Sequence, residues 1–210
     1  ERLLRLITCG GRPFPEGGLS WQTDLLNLQL SVGVKPLFRF VGSISKIRRL
    51  VQVSDQTLGR VSVPRGTRRE QVKIPGTAFD AEWVSHDASP KRRIIMYLPG
   101  GAFVLRMPHM HTGMVSRLCR RADAQALMVY YRLAPEHPFP ACLDDAVLAY
   151  RWLLGQGYSP EQIVIAGDSA GGGLTLSTLL AIRDQGLPAP AGGYMLSPLL
   201  DASDSSASRW

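Results

Sequence analysis

A chain of 210 residues, 45% apolar and 20% charged, is long enough for one packed domain and has an ordinary globular composition. No apolar run reaches the roughly 18 residues that a membrane-crossing helix needs, which argues against stable membrane insertion. The net charge of +7 is uneven, with 16 Lys/Arg against 8 Asp/Glu in residues 1–93 and 8 against 9 in residues 94–210; the basic clusters are short and lack the interleaved aromatics that would stack bases, so they read as solvated surface and not as a nucleic-acid face.

The opening stretch "ERLLRLITCG" is interrupted by Arg5 and carries no small-residue cleavage site, so it reads as a terminal or helical segment and not as a secretory signal. "WQTDLLNLQLSVGV" repeats Leu25, Leu28 and Val32 at helical spacing. Up to about residue 70 the chain mixes Gly, Pro and basic residues, which sets a lead segment, 1–70, apart from a domain of residues 71–210. "QVKIP" and "AEWVSH" read as two short strands about a Pro75–Gly76 turn. "RRIIMYL" is an apolar strand, residues 109–123 a helix, and "ALMVYYRL" a second apolar strand. A helix over 141–154, the strand "QIVIAG", a helix over 170–184 and the strand "GGYMLSPLL" complete the pattern. Near-continuous apolar strands alternating with helices predict an α/β fold, a mostly parallel sheet with helices on both faces.

In such sheets ligands bind beyond the carboxyl ends of the strands. Three turns fall there: "PGGAF", "AGDSAGG" and "LSPLLD". Gly167-Asp168-Ser169-Ala170-Gly171 fits G-x-S-x-G, and it lies between a strand and a helix, the context in which that motif presents a serine nucleophile. Its glycines leave room where side chains would strike the neighbouring strand and helix. The Ala170 N–H, at a helix start, points to where an oxyanion forms. Gly100 and Gly101, just after the earlier strand, are the other candidate oxyanion donors.

"YRLAPEHPFPACLDDAVLAYRWLL" followed by "IVIAGDSAGGGL" resembles the hormone-sensitive-lipase-like esterases, a branch of the α/β-hydrolases, over roughly residues 70–210. The resemblance implies a carboxylesterase acting on short- to medium-acyl esters through an acyl-enzyme, with Ser169 as nucleophile, an oxyanion loop at 99–102, and an N-terminal helical cap over the acyl pocket. It also implies no cofactor, no metal and a small-molecule ester as the partner. The chain departs from the family's H-G-G-G loop at Pro99 and Ala102, and Gly173 stands where asparagine is usual. Asp144, Asp145 and Asp168 match family positions that look structural.

In this fold the acid and then the histidine follow the serine along the chain. His86, His109, His111 and His137 all precede Ser169. His109 and His111 read as surface residues at a helix start, and His137 as part of a turn. Asp201 is a weak candidate for the acid, with Asp204 three residues on. No base is therefore assigned, and "LSPLLDASDSSASRW" resembles the point where family members continue into strands bearing acid and histidine. On that reading the sheet lacks its last strands, its open apolar edge favours association as a homodimer, and the 210 residues alone turn over little substrate. The other reading is a catalytically dead ligand-binding module on the same fold. Cys9, Cys119 and Cys142 are odd in number and far apart, which favours a reducing, cytoplasmic setting.

Overall fold

The computed structural model describes residues 43–86 and 92–201. The amphipathic stretch at 21–34, the expected cap over residues 1–60 as far as residue 42, and Asp204 lie outside them. The chain divides into two compact units, residues 1–50 and 51–210. The first strand begins at Thr67, ahead of the change of texture near residue 70, and pairs along its length.

Six strands form one sheet: β1 (Thr67–Val72), β2 (Asp80–His86), β3 (Ile94–Leu98), β4 (Gln125–Tyr130), β5 (Ile163–Asp168) and β6 (Gly192–Leu196). Their spatial order is β1-β2-β4-β3-β5-β6. β1 and β2 are antiparallel, β2 meets β4 antiparallel, and the β4-β3-β5-β6 part is parallel. Helix α1 spans Ile44–Ser54 and runs into a π-helical turn at Asp55–Gly59. α2 (Pro108–Ala122), α3 (Ala141–Gly155) and α4 (Ser169–Asp184) are the crossovers between parallel strands.

The period-2 alternation of β3 explains why helices are needed on both faces. Ile94, Met96 and Leu98 join Ala146, Tyr150 and Leu153 of α3 and Leu174 and Ile182 of α4 in one core. Ile95 and Tyr97 point the other way, into a core with Val115 and Cys119 of α2. Cys119 and Cys142 are buried free thiols, and burial pushes Cys119 up to about 12.

The boundaries of β1 and β6 differ from the sequence reading, each for a visible reason. β1 starts four residues before "QVKIP", because a sheet edge tolerates the charged run Arg68-Arg69-Glu70, which hides its strand character. β6 ends at Leu196, short of "SPLL", where Ser197 takes φ +44° and Pro198 has no N–H to give a ladder.

Candidate active site

Strand β5 ends at Asp168 and α4 begins at Ser169, with no residue between them to turn the chain. The turn is made by Ser169 itself, at φ +51°, a left-handed conformation that costs a non-glycine residue roughly 1–2 kcal/mol. Close packing on both sides maintains it. A Cβ on Gly171 would lie 1.9 Å from the Leu98 carbonyl oxygen, and one on Gly167 would lie 2.4 Å from that of Gly171. The glycines are thus required by contact with β3 and α4, and the serine side chain is left exposed at the apex.

The three strand-end turns meet here. Leu98 is in register with Gly167, so the loop after β3 lies directly beside the elbow. From the β6 side, the Leu199 N–H donates to the Ser169 carbonyl at 2.9 Å. Pro198 would touch a Cβ on Gly172, and the Leu199 oxygen would lie 2.2 Å from one on Gly173. The Leu199 carbonyl thus leaves no room for the asparagine that is usual at position 173. Asp201, exposed, follows two residues after Leu199.

The oxyanion candidates differ in what their amides do. Ala170 is fully buried in the first turn of α4, where backbone N–H groups have no intrahelical acceptor and the helix dipole favours negative charge. The Gly100 N–H donates to Asp168 Oδ1 at 2.9 Å, so it is already engaged. A Cβ at Gly100 would sit 2.3 Å from Asp168 Oδ2, which is why glycine stands there. Beyond it the chain turns through Gly101 (φ +136°) and Ala102 (φ +52°), and among the described residues these two amides donate to no acceptor. From the sequence Ala102 stood out only as a departure from the family's loop and not as a donor; its positive φ is invisible in the residue type. The loop is tied back by Leu105 N–H to the Gly101 carbonyl at 2.8 Å and by Tyr131 Oη–H to the Pro99 carbonyl at 2.5 Å.

Behind the loop lies a polar cluster that the sequence did not reveal. Asp168 Oδ1 also accepts from Tyr97 Oη–H at 2.8 Å, and His111 Nε2 lies 3.4 Å from it. Burial works to raise the Asp168 carboxyl, but the bond to His111, the charge of His111, and the Gly100 and Tyr97 donors outweigh it and hold the group down at about 2. Burial, with the Asp168 charge beside it, pushes the Tyr97 phenol far up.

His111 is a correction to the sequence reading: it is 3% exposed, not a surface residue. It shares the buried stripe of α2 with Val115 and Cys119, four and eight residues on, and that spacing was the signal available. His109 is half-buried, its Nδ1 3.0 Å from Asp55 Oδ2. His137 is exposed. Among the described residues Ser169 Oγ has no hydrogen-bond partner, and none of these histidines contacts it. Asp145 is buried and bound to the Arg132 guanidinium and backbone N–H, while Asp144 is exposed in the first turn of α3. No group of three or more His, Cys, Asp or Glu side chains converges among the described residues in a way that would hold a metal.

Residues 95–210 match the model of an alpha/beta hydrolase fold family. An acetyl-hydrolase of Streptomyces hygroscopicus is 40% identical over 167 residues, 80% of this chain and 54% of that protein. The carboxylesterase/phospholipase LipF of Mycobacterium tuberculosis is 36% identical over 189 residues, 88% of this chain and 50% of the relative. A solved esterase of the bacterial hormone-sensitive lipase family superposes with a TM-score of 0.70 at 40% identity, covering 76% of this chain and 52% of that one. The esterase EstE5, in a crystal soaked with p-nitrophenyl butyrate, superposes with a TM-score of 0.73 at 34% identity, over 99% of this chain and 60% of its own. The chain spans about half the length of the curated relatives it matches.

Proposed function

The chain belongs to the α/β-hydrolase fold family, in its hormone-sensitive-lipase-like esterase branch, and from that premise we propose that it is the Ser169-bearing part of a carboxylic-ester hydrolase. The observation that carries this reading is the strained Ser169, exposed at the junction of β5 and α4 beside unengaged backbone amides. Such strain is retained where a fixed serine direction is worth its cost.

In the proposed reaction Ser169 Oγ attacks the carbonyl carbon of a short- to medium-acyl ester. The amides of Gly101, Ala102 and Ala170 receive the developing oxyanion, and collapse of the tetrahedral intermediate expels the alcohol and leaves an acyl-Ser169. Water then releases the acid. Each oxyanion donor is worth roughly 2.7–4 kcal/mol of barrier lowering. Gly100, one of the donors expected from the sequence, serves in this reading as a tether, since its amide is spent on Asp168. The proposal needs no metal or organic cofactor, and the separated cysteines support a reducing, cytoplasmic setting.

Acylation also needs a base to take the Ser169 proton. The four histidines precede Ser169 in the sequence, and none of them contacts it among the described residues. Loss of the triad histidine costs roughly 10⁶ in kcat in a serine hydrolase. The 210-residue polypeptide is therefore expected to hydrolyse p-nitrophenyl butyrate no faster than its Ser169→Ala variant. Turnover at an ordinary enzymatic rate that Ser169→Ala removes would overturn this and place a working base within the 210 residues. A second reading is a ligand-binding module on the same fold. Saturable binding of a small ester by both the chain and Ser169→Ala, with no acyl transfer to Ser169 even when a base is supplied, would support it.

A further inference from the structure

Building on the proposed oxyanion role of the loop after β3, we propose that His111 is the positioning residue of that loop, acting through Asp168. His111 Nδ1 lies 2.9 Å from the Met107 carbonyl oxygen, which can only accept, so Nδ1 carries a hydrogen. Nε2 faces Asp168 Oδ1 at 3.4 Å, and a carboxylate oxygen likewise only accepts. A lone pair on Nε2 would oppose those of the carboxylate, so the arrangement calls for N–H groups on both sides of the ring. The ring is 3% exposed, so water does not meet either need. Tyr97, whose ring centroid lies 6.4 Å away, adds a phenol that donates to the same carboxylate oxygen and does not compete for the imidazole.

The carboxylate thus held is the one that fixes the loop. Asp168 Oδ1 gathers Tyr97 Oη–H, His111 Nε2 and the Gly100 N–H. The last of these sets where the chain leaves β3, one residue before the unengaged amides of Gly101 and Ala102. Pro99 has no N–H with which to anchor its own position, so where the loop leaves β3 it is held by the Pro99 carbonyl, which accepts from Tyr131, and by the Gly100 amide. His111 Nε2, together with the Tyr97 hydroxyl, fixes the direction of the Asp168 carboxylate, and the carboxylate so directed keeps Gly100 in line.

Nuclear magnetic resonance on the isotope-labelled 210-residue chain tests this, with His111→Gln and His111→Phe as variants. Glutamine keeps an N–H where Nε2 stood, whereas phenylalanine keeps the volume and removes it. In the wild type His111 Nε2 is expected to carry a proton, and the Gly100 amide proton to lie far downfield, as for a donor to a carboxylate. In His111→Phe the Gly100 signal moves upfield while the amides of β4 keep their positions; in His111→Gln it returns toward the wild-type position. With imidazole supplied as base, the initial rate of Ser169 acylation by p-nitrophenyl butyrate should fall roughly tenfold in His111→Phe and recover in His111→Gln. An unprotonated Nε2 overturns the proposal. So does a Gly100 amide that is unmoved in His111→Phe, or one moved equally in both variants. Should His111→Phe not fold, which a loss of signal dispersion would reveal, wild-type Nε2 protonation and His111→Gln decide the matter. Absence of any Ser169 acylation in the wild type would sink the hydrolase reading and leave the coupling of His111, Asp168 and Gly100 standing or falling on its own spectra.

Discussion

At the scale of single residues, the elbow is governed by ångström-level exclusion. Gly171→Ala would place a methyl group 1.9 Å from the Leu98 oxygen, a backbone atom that cannot step aside without moving β3. A loss of at least about 3 kcal/mol is expected, measured as a lowered urea midpoint. Gly155→Ala is the control: nothing lies within 4 Å of its added Cβ, and alanine there should be neutral or stabilising by up to about 1 kcal/mol. Asp168 gives a pH signature. Its carboxyl is depressed from 3.8 to about 2 on folding, so its contribution is fully present above the unfolded value and is lost as pH falls through about 2. Asp168→Asn should therefore cost on the order of 2 kcal/mol at neutral pH, and its deficit against the wild type should close between about pH 4 and pH 2. Equal deficits at pH 7 and pH 2.5 would contradict this. The serine and its glycines were legible because steric need dictates residue type at fixed spacing. His111 was not, because a histidine next to a helix start looks the same whether it faces water or a carboxylate contributed by a strand 57 residues later.

At the scale of elements, long-range side chains complete what local sequence leaves open. Helix α2 starts after Met107, which offers no capping oxygen, and Pro108 follows it. Asp55, from the π-helical turn, supplies the cap: its carboxylate accepts from the His109 N–H at 3.0 Å and the Met110 N–H at 2.9 Å. Asp55→Ala is expected to lower stability by about 1–2 kcal/mol, with early hydrogen exchange confined to the first turn of α2. Uniform loss of protection across the sheet would contradict a local cap. The start of α2 was readable from its apolar spacing, but a cap arriving from 54 residues away leaves no sequence signal. The strands that read most clearly, β3, β4 and β5, are those buried on both faces, where nearly every position is apolar. β1 was the least legible, since an edge strand with one solvated face can be written almost entirely in charged residues.

At the scale of the molecule, the two outer strands are unequal. β1 carries Arg68, Arg69 and Glu70, charges that discourage edge-to-edge pairing. β6 pairs with β5 and with no other described strand, and it presents Tyr194, 51% exposed, with no charge along Gly192–Leu196. Association of the chain through β6 is the expected consequence, visible as a concentration-dependent sedimentation coefficient that Tyr194→Lys reduces. A wild-type monomer at all concentrations would contradict it. The α/β layering was open to the sequence because strand and helix periods alternate cleanly from residue 94 onward, whereas the mixed β1-β2 end required the observed pairing. Family membership fits the whole described sheet, and the chain's span of about half its relatives leaves the base for Ser169 unassigned.

Ser169 is the proposed acyl acceptor. Its most direct test is peptide mass mapping after mixing the folded chain with p-nitrophenyl butyrate and imidazole, with Ser169→Ala alongside. The account predicts one butyryl group on Ser169, formed by the folded chain and absent from the urea-unfolded one. Butyryl groups scattered over surface lysines, with Ser169 unmodified, would contradict it.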